Sequence, residues 1–159
     1  MMVTDLNDDF KNDSSTASND AGHRFETEHA AQALALVHTL LDWAENQVRA
    51  DTSDGHALVM PLVNADIELR WVLEGLHPAD VAYVLEALPL DERLHVWGLV
   101  NPDQDGEILL EVSDSVRETL IADMSRQELV AATESLDADE IAELADDLPR
   151  EVVEEVAEN

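Results

Sequence analysis

From His77 onward the chain repeats itself every twelve residues. Divided there it reads HPADVAYVLEAL, PLDERLHVWGLV, NPDQDGEILLEV, SDSVRETLIADM, SRQELVAATESL, DADEIAELADDL and a shortened PREVVEEVAEN. The last position of each full block is apolar: Leu88, Val100, Val112, Met124, Leu136, Leu148. So is the eighth: Val84, Val96, Ile108, Leu120, Ala132, Leu144. The first position is a helix starter or breaker each time: His77, Pro89, Asn101, Ser113, Ser125, Asp137, Pro149. A repeat this short builds a stack of helices, and a stack usually offers a surface for binding something else.

Each block carries its own helix signal. Asn101, Ser113, Ser125 and Asp137 can each accept a backbone N–H at a helix start. Ser125 with Glu128, and Asp137 with Glu140, have the spacing of a capping box. Pro78 and Pro102 follow candidate caps, where a missing N–H costs nothing. Pro89 and Pro149 close the helices before them. Helices of about eight residues are unstable alone in water. Their stability must come from burying the two apolar positions of each block, at roughly 1.5–3 kcal/mol per fully buried side chain.

Upstream the pattern is looser. Residues 1–25 are rich in Asn, Asp, Ser and Thr, and read as a disordered acidic tail. Residues 26–63 read as N-terminal helices. In the first of these, Thr27–Arg49, Leu34, Val37, Leu41, Ala44 and Val48 form one apolar stripe bordered by Trp43. Asp51–Gly55 is a turn signal. A second helix is expected over His56–Leu62 and a third over Ala65–Leu76, with Asn64 as N-cap. The stack itself is assigned to residues 64–159.

Composition narrows the function. The formal charge is −29 over 159 residues. Residues 103–159 hold nineteen Asp and Glu against three Arg, a net charge of −16. Nucleic acid and anionic membrane surfaces are disfavoured as partners, because phosphate binding needs a Lys/Arg footprint. There is no cysteine, which excludes disulfides and thiolate chemistry. Met1–Asp20 lacks the basic start and apolar run of a signal peptide, and Ala30–Leu41 is too short to span a bilayer. No Gly-rich phosphate loop or partnered nucleophile is present, so the chain reads as a non-enzyme. His77 and Asp80 read as helix-start residues. His95 reads as packing or surface, and Trp71, Tyr83 and Trp97 as core or groove residues.

The first block carries more than periodicity. Its EGLHPADVAYVLEALP (Glu74–Pro89), then LDERLHVWGLV, closely resembles the opening of the cytoplasmic N-terminal domain of MgtE-type magnesium transporters, and SLDADEIAELADDLP (Ser135–Pro149) is similar to that family's repeats. The resemblance covers about residues 62–157. The remaining blocks would also fit a protein-interaction scaffold of the FliG-like flagellar rotor type. The magnesium-transporter resemblance implies an all-α, armadillo-like, right-handed superhelix of short helices. It implies a cytoplasmic location beneath an inner or plasma membrane. It also implies a longer, dimeric transporter in which CBS domains and a transmembrane pore follow this domain, neither being present before Asn159.

Within that family, magnesium bridges this domain to the CBS domains and suppresses pore opening. The acidic positions used for this are matched here by Glu107 in GEILLEV and by Asp139 and Glu143 in DADEIAEL. Mg²⁺ takes oxygen ligands and keeps several waters, so one or two carboxylates per ion suit a weak sensor. Asp139 and Glu143, four apart, share a helix face. Two like charges at about 4 Å and an effective dielectric of 20 repel by roughly 4 kcal/mol. Acidic faces of this kind stay apart until a cation neutralises them.

Overall fold

The computed structural model describes the backbone of residues 16–50 and 59–158, and side chains over 28–46 and 64–158. Every regular element among them is helical. Nine α-helices follow in order: α1 Thr16–Ala50, α2 Val59–Glu74, α3 Pro78–Ala87, α4 Leu90–Trp97, α5 Asp105–Glu111, α6 Asp114–Asp123, α7 Arg126–Thr133, α8 Ala138–Leu144 and α9 Arg150–Ala157. A 3-10 turn, Pro102–Gln104, leads into α5.

The twelve-residue pattern is a packing pattern. All six eighth-position side chains are buried, from Val84 to Leu144. Of the six closing positions five are buried, and Met124 is half-buried against the same core. Backbone geometry explains why these two positions were apolar and the next was not. Leu88, Val112 and Met124 leave the helix in an extended conformation, with ψ of 144°, 156° and 142°. The following residue is extended as well, as at Ser113 (ψ 156°) and Ser125 (ψ 160°). This two-residue link points the closing side chain inward and places the next residue where a cap belongs.

The caps follow the sequence closely. The Ser125–Glu128 and Asp137–Glu140 capping boxes are both complete. The His77 ring accepts the Ala79 N–H at 3.4 Å, and Pro78 opens α3. Asn101 accepts the Asp103 N–H at 3.2 Å. Ser113 differs: its side chain caps nothing, and its backbone N–H donates instead to the Glu86 carboxylate on α3. Pro89 and Pro149 sit in the N-cap positions of α4 and α9. Pro89 ends α3 because a residue before proline is pushed to extended backbone, as Leu88 is, whereas α8 already ends at Leu144, ahead of Pro149.

The helices of alternate blocks pack on each other. α3 packs on α5, α5 on α7, and α7 on α9, while α4 packs on α6. Neighbouring blocks also touch, as α3 does α4 and α5 does α6. The structural unit is therefore a helix pair of two blocks. α1 lies against both α2 and α3 through Ala30, Ala33, Val37 and Ala44. His95 on α4 bonds Asp66 on α2 at 2.8 Å, so it is a surface tether.

Several upstream expectations need correction. α2 is one helix running through Asn64, which is exposed within it and caps nothing. Pro61 in its first turn is compatible with a helix already begun at Val59. The expected His56–Leu62 and Ala65–Leu76 helices are thus fused, and α2 crosses the boundary drawn at residue 63; residues 51–58 lie outside the described ones. α1 starts at Thr16, ahead of Thr27 and within the stretch expected as a disordered tail. Once a helix is nucleated each further residue adds one bond, so it can extend past its apolar stripe. Residues 1–15, and the Val48 side chain, lie outside the described residues. Trp71 is 79% exposed and Tyr83 44% exposed, so neither is core, whereas Trp97 is buried. No helix among the described residues is long and apolar enough to cross a membrane.

Candidate functional site

The packing of α5 on α8 brings Glu107 and the Asp139/Glu143 pair onto contacting helices. Glu107 lies in the first turn of α5 and is exposed. It follows Gly106, which is buried against α7, so the chain at this point turns from core to surface within one residue. Asp139 occupies the first turn of α8, where a carboxylate is favoured by the helix dipole. Its backbone N–H donates to the Asp137 Oδ1 at 3.0 Å, and its side chain is exposed. Glu143 is exposed one turn further along the same helix.

Glu143 has a neighbour that the sequence did not reveal. Arg117 of α6 is 6% exposed. Its Nη1 donates to Asp147 Oδ2 at 3.0 Å, and its Nη2 lies 4.0 Å from Glu143 Oε1. Asp114 Oδ1 stands 3.9 Å from the same guanidinium. The nearby cation partly satisfies Glu143, which makes it a weaker free ligand than Asp139 or Glu107. The other two arginines of this half are also paired, Arg126 with Glu155 at 2.6 Å and Arg150 with Glu154 at 3.4 Å. All three arginines of this half are thus engaged, while Glu107 and Asp139 are exposed.

A second unforeseen group is Asp105, the first residue of α5. Its carboxyl is pushed up to about 7, first by burial and then by the charges of Glu128 and Asp103. Glu128 is held below the usual carboxylate range by its bonds to Ser125. One sequence signal could have found Arg117. The fifth position of the repeat holds Arg93 and then Arg117, two blocks apart, in a chain with only eight Lys and Arg. Nothing comparable marks Asp105, because its burial depends on α7.

Among the described residues, no group of three or more His, Asp or Glu is gathered to hold a metal ion. The three predicted residues present exposed carboxylates on the contacting helices α5 and α8 and are not gathered into one ligand cluster. Their donor set fits a hard, hydrated divalent cation: oxygen only, exposed, with room for water. Such a surface can neutralise its charge by sharing ions with a second acidic face. It offers no nucleophile with a partnered base.

Comparison with known proteins bears on this surface. No curated protein and no solved structure matches the chain. A family model does, over residues 76–159, which is more than half of the chain and begins one residue before the repeat. Its span takes in α3 to α9 and all three predicted acidic residues. On that match, this chain belongs to the MgtE intracellular N domain family.

Proposed function

We propose that this domain senses Mg²⁺ in the cytoplasm and regulates a magnesium transporter, docking onto the CBS domains of the same protein through Mg²⁺-bridged acidic faces to suppress pore opening. The family is that of a transporter's regulatory domain and not a catalytic one. The observation that carries the reading is the outward-facing Glu107, Asp139 and Glu143 on two contacting helices, in a half of the chain whose arginines are all engaged. The paired-helix packing supports an armadillo-like, right-handed superhelix that holds these helices in fixed relation. The full-length form is a homodimer in this reading. Glu107, Asp139 and Glu143 are the residues that would hold the ions, and the ions supply charge neutralisation between the faces.

The test is a Mg²⁺ titration of this domain joined to its CBS pair, following compaction by small-angle scattering. Millimolar Mg²⁺ should compact the parent protein. Asp139→Asn with Glu107→Gln should shift the midpoint at least several-fold higher. Glu143→Gln should have a smaller effect, since Arg117 already stands beside it. Unchanged compaction in the double variant would remove these residues from the site.

A second reading, a metal-free interaction scaffold of the flagellar-rotor type, is favoured by one observation. Ile67 and Trp71, one turn apart on α2, are 53% and 79% exposed. Compaction that ignores Mg²⁺ but is lost in Trp71→Ala would support it over the first.

A further inference from the structure

The two rows of the stack end unevenly. α3, α5, α7 and α9 follow one another without a break. The row of α4 and α6 stops short, because α8, next in turn, makes its main contact with α5. A groove of about 470 Å³ lies beside α6, walled by α6, α7 and α9. Glu118 and Ala122, both exposed on α6, line it, so this side of α6 is left open. Its volume is that of a site able to hold a bound group.

The floor of the groove is apolar and continuous with the core. Ile121, Leu129 and Val152 are buried there, and the half-buried Met124 borders them. The rim is acidic. Glu118 stands on the α6 wall, Glu151 on the α9 wall, and Asp147 in the link between α8 and α9. Among the described residues, Arg126 is the one cation lining the groove, and it is already engaged: its Nε and Nη2 donate to Glu155 Oε2 at 2.9 Å and 2.6 Å. Arg117 holds Asp147 at 3.0 Å, whereas Glu118 and Glu151 are exposed and make no ion pair with a described residue. An apolar floor between uncompensated carboxylates is complementary to a ligand that is apolar along one side and positive along its edges.

We propose that this groove is a docking site for a basic amphipathic helix of a partner protein, which takes the place left open beside α6. Its apolar side chains, one turn apart, lie on Ile121, Leu129 and Val152, and the Lys or Arg side chains flanking that stripe meet Glu118 and Glu151. A helix suits the place because a helix is what the row of α4 and α6 lacks. A second copy of this chain is a poor occupant, since each copy carries a formal charge of −29. Glu107, Asp139 and Glu143 do not line the groove, so the proposal does not rest on the magnesium reading.

The probe is a fluorescently labelled synthetic peptide of about 16 residues, with Leu along one helical face and Lys along the other. It is titrated with the full chain at physiological salt and followed by anisotropy. Saturable binding with a Kd on the order of 10 μM is expected, and none below about 1 mM would overturn the proposal. A peptide of the same composition in scrambled order keeps the charge and loses the stripe, and should bind at least about tenfold more weakly. Glu118→Lys with Glu151→Lys should raise the Kd about tenfold, whereas Glu68→Lys with Glu74→Lys, the same change in charge at exposed positions of α2, should leave it within about twofold. Equal binding of the scrambled peptide, or equal losses in the two double variants, would reduce the effect to bulk charge and overturn the groove as a site. Methyl NMR of the unsubstituted chain locates the peptide without any variant. Shifts centred on Ile121, Leu129 and Val152 are expected, and shifts centred elsewhere overturn the proposal equally.

Discussion

Arg93 and Arg117, twenty-four residues apart, make the same pair of bonds. Each Nε donates to the carbonyl eight residues earlier, Leu85 at 2.8 Å and Leu109 at 2.6 Å. Each Nη2 donates to the carbonyl five residues earlier, Leu88 at 2.9 Å and Val112 at 3.4 Å. These carbonyls close α3 and α5, where the last turn leaves acceptors without intrahelical donors. A guanidinium fork from the next helix satisfies them and brings positive charge to a helix C-terminus. The true repeat is thus two blocks long. The device lapses after one recurrence, since the next equivalent position is Ile141.

Arg117 should matter more than Arg93. It is buried, and its loss also strips Asp147 of its partner. Arg117→Leu is expected to cost roughly 2–4 kcal/mol, and Arg93→Leu about half that, in urea denaturation. Arg117→Lys should recover only part, because an ammonium cannot reproduce the fork. Equal, sub-kilocalorie losses for both arginines would show that the carbonyls find water instead.

The buried eighth and closing positions carry the stack. Ile108→Ala should lower stability by about 2–5 kcal/mol, and Leu88→Ala by a similar amount. Trp71→Ala, on an exposed site, should stay within about 0.5 kcal/mol. Thermal melts of the three variants check the contrast, and comparable losses at Ile108 and Trp71 would contradict the burial.

Two glycines should respond in opposite directions. Gly106→Ala forces its methyl into the Ala132 carbonyl, so α5 and α7 must part; a loss of roughly 1–3 kcal/mol is expected. Gly98 ends α4 with right-handed helical backbone, φ −64°, and its nearest atoms stand 3.6 Å from a β-carbon. Gly98→Ala should therefore be neutral or stabilising by about 0.4–1 kcal/mol. Calorimetry on the pair decides it.

Stability should fall as pH rises through the range set by Asp105. Its carboxyl, pushed up to about 7, lies above the ordinary aspartate value of 3.8, so the folded state binds the proton more tightly. The stabilisation is complete below about pH 4 and is lost as pH climbs to 7. Partial exposure screens the charge, so the swing is about 1–2 kcal/mol and not the full linkage value. Asp105→Asn should raise Tm at pH 8 and leave it nearly unchanged at pH 4. An Asn variant that destabilises equally at both values would place Asp105 in an ordinary structural role.

Much of this was legible because it is local. The capping boxes at Ser125 and Asp137 depend on residues three apart, and the helix-start role of His77 on its nearest neighbours. The burial of the eighth and twelfth positions follows from repetition, which no solvated surface would keep. Trp71 and Tyr83, expected as core or groove residues, are not core because hydrophobicity says that a side chain gains from burial, not that a neighbour is there to bury it. Asn64 was misread as a cap because a local preference yields when a helix already runs through it. Glu107, Asp139 and Glu143 were singled out by the resemblance to the transporter family, and spacing put only Asp139 and Glu143 on one helix face; Arg117 beside Glu143 comes from another helix and a distant block.

The sequence by itself determined that short helices start and stop every dozen residues and which two side chains of each face inward. It did so because caps and periodicity act within one turn of backbone. Only the tertiary structure decided that alternate blocks pack together, that Arg117 is drawn inside to close α5, and that Asp105 is half-buried in a cleft that Glu128 also lines. Those outcomes depend on which surfaces meet, and burial and charge proximity exist only once they have met.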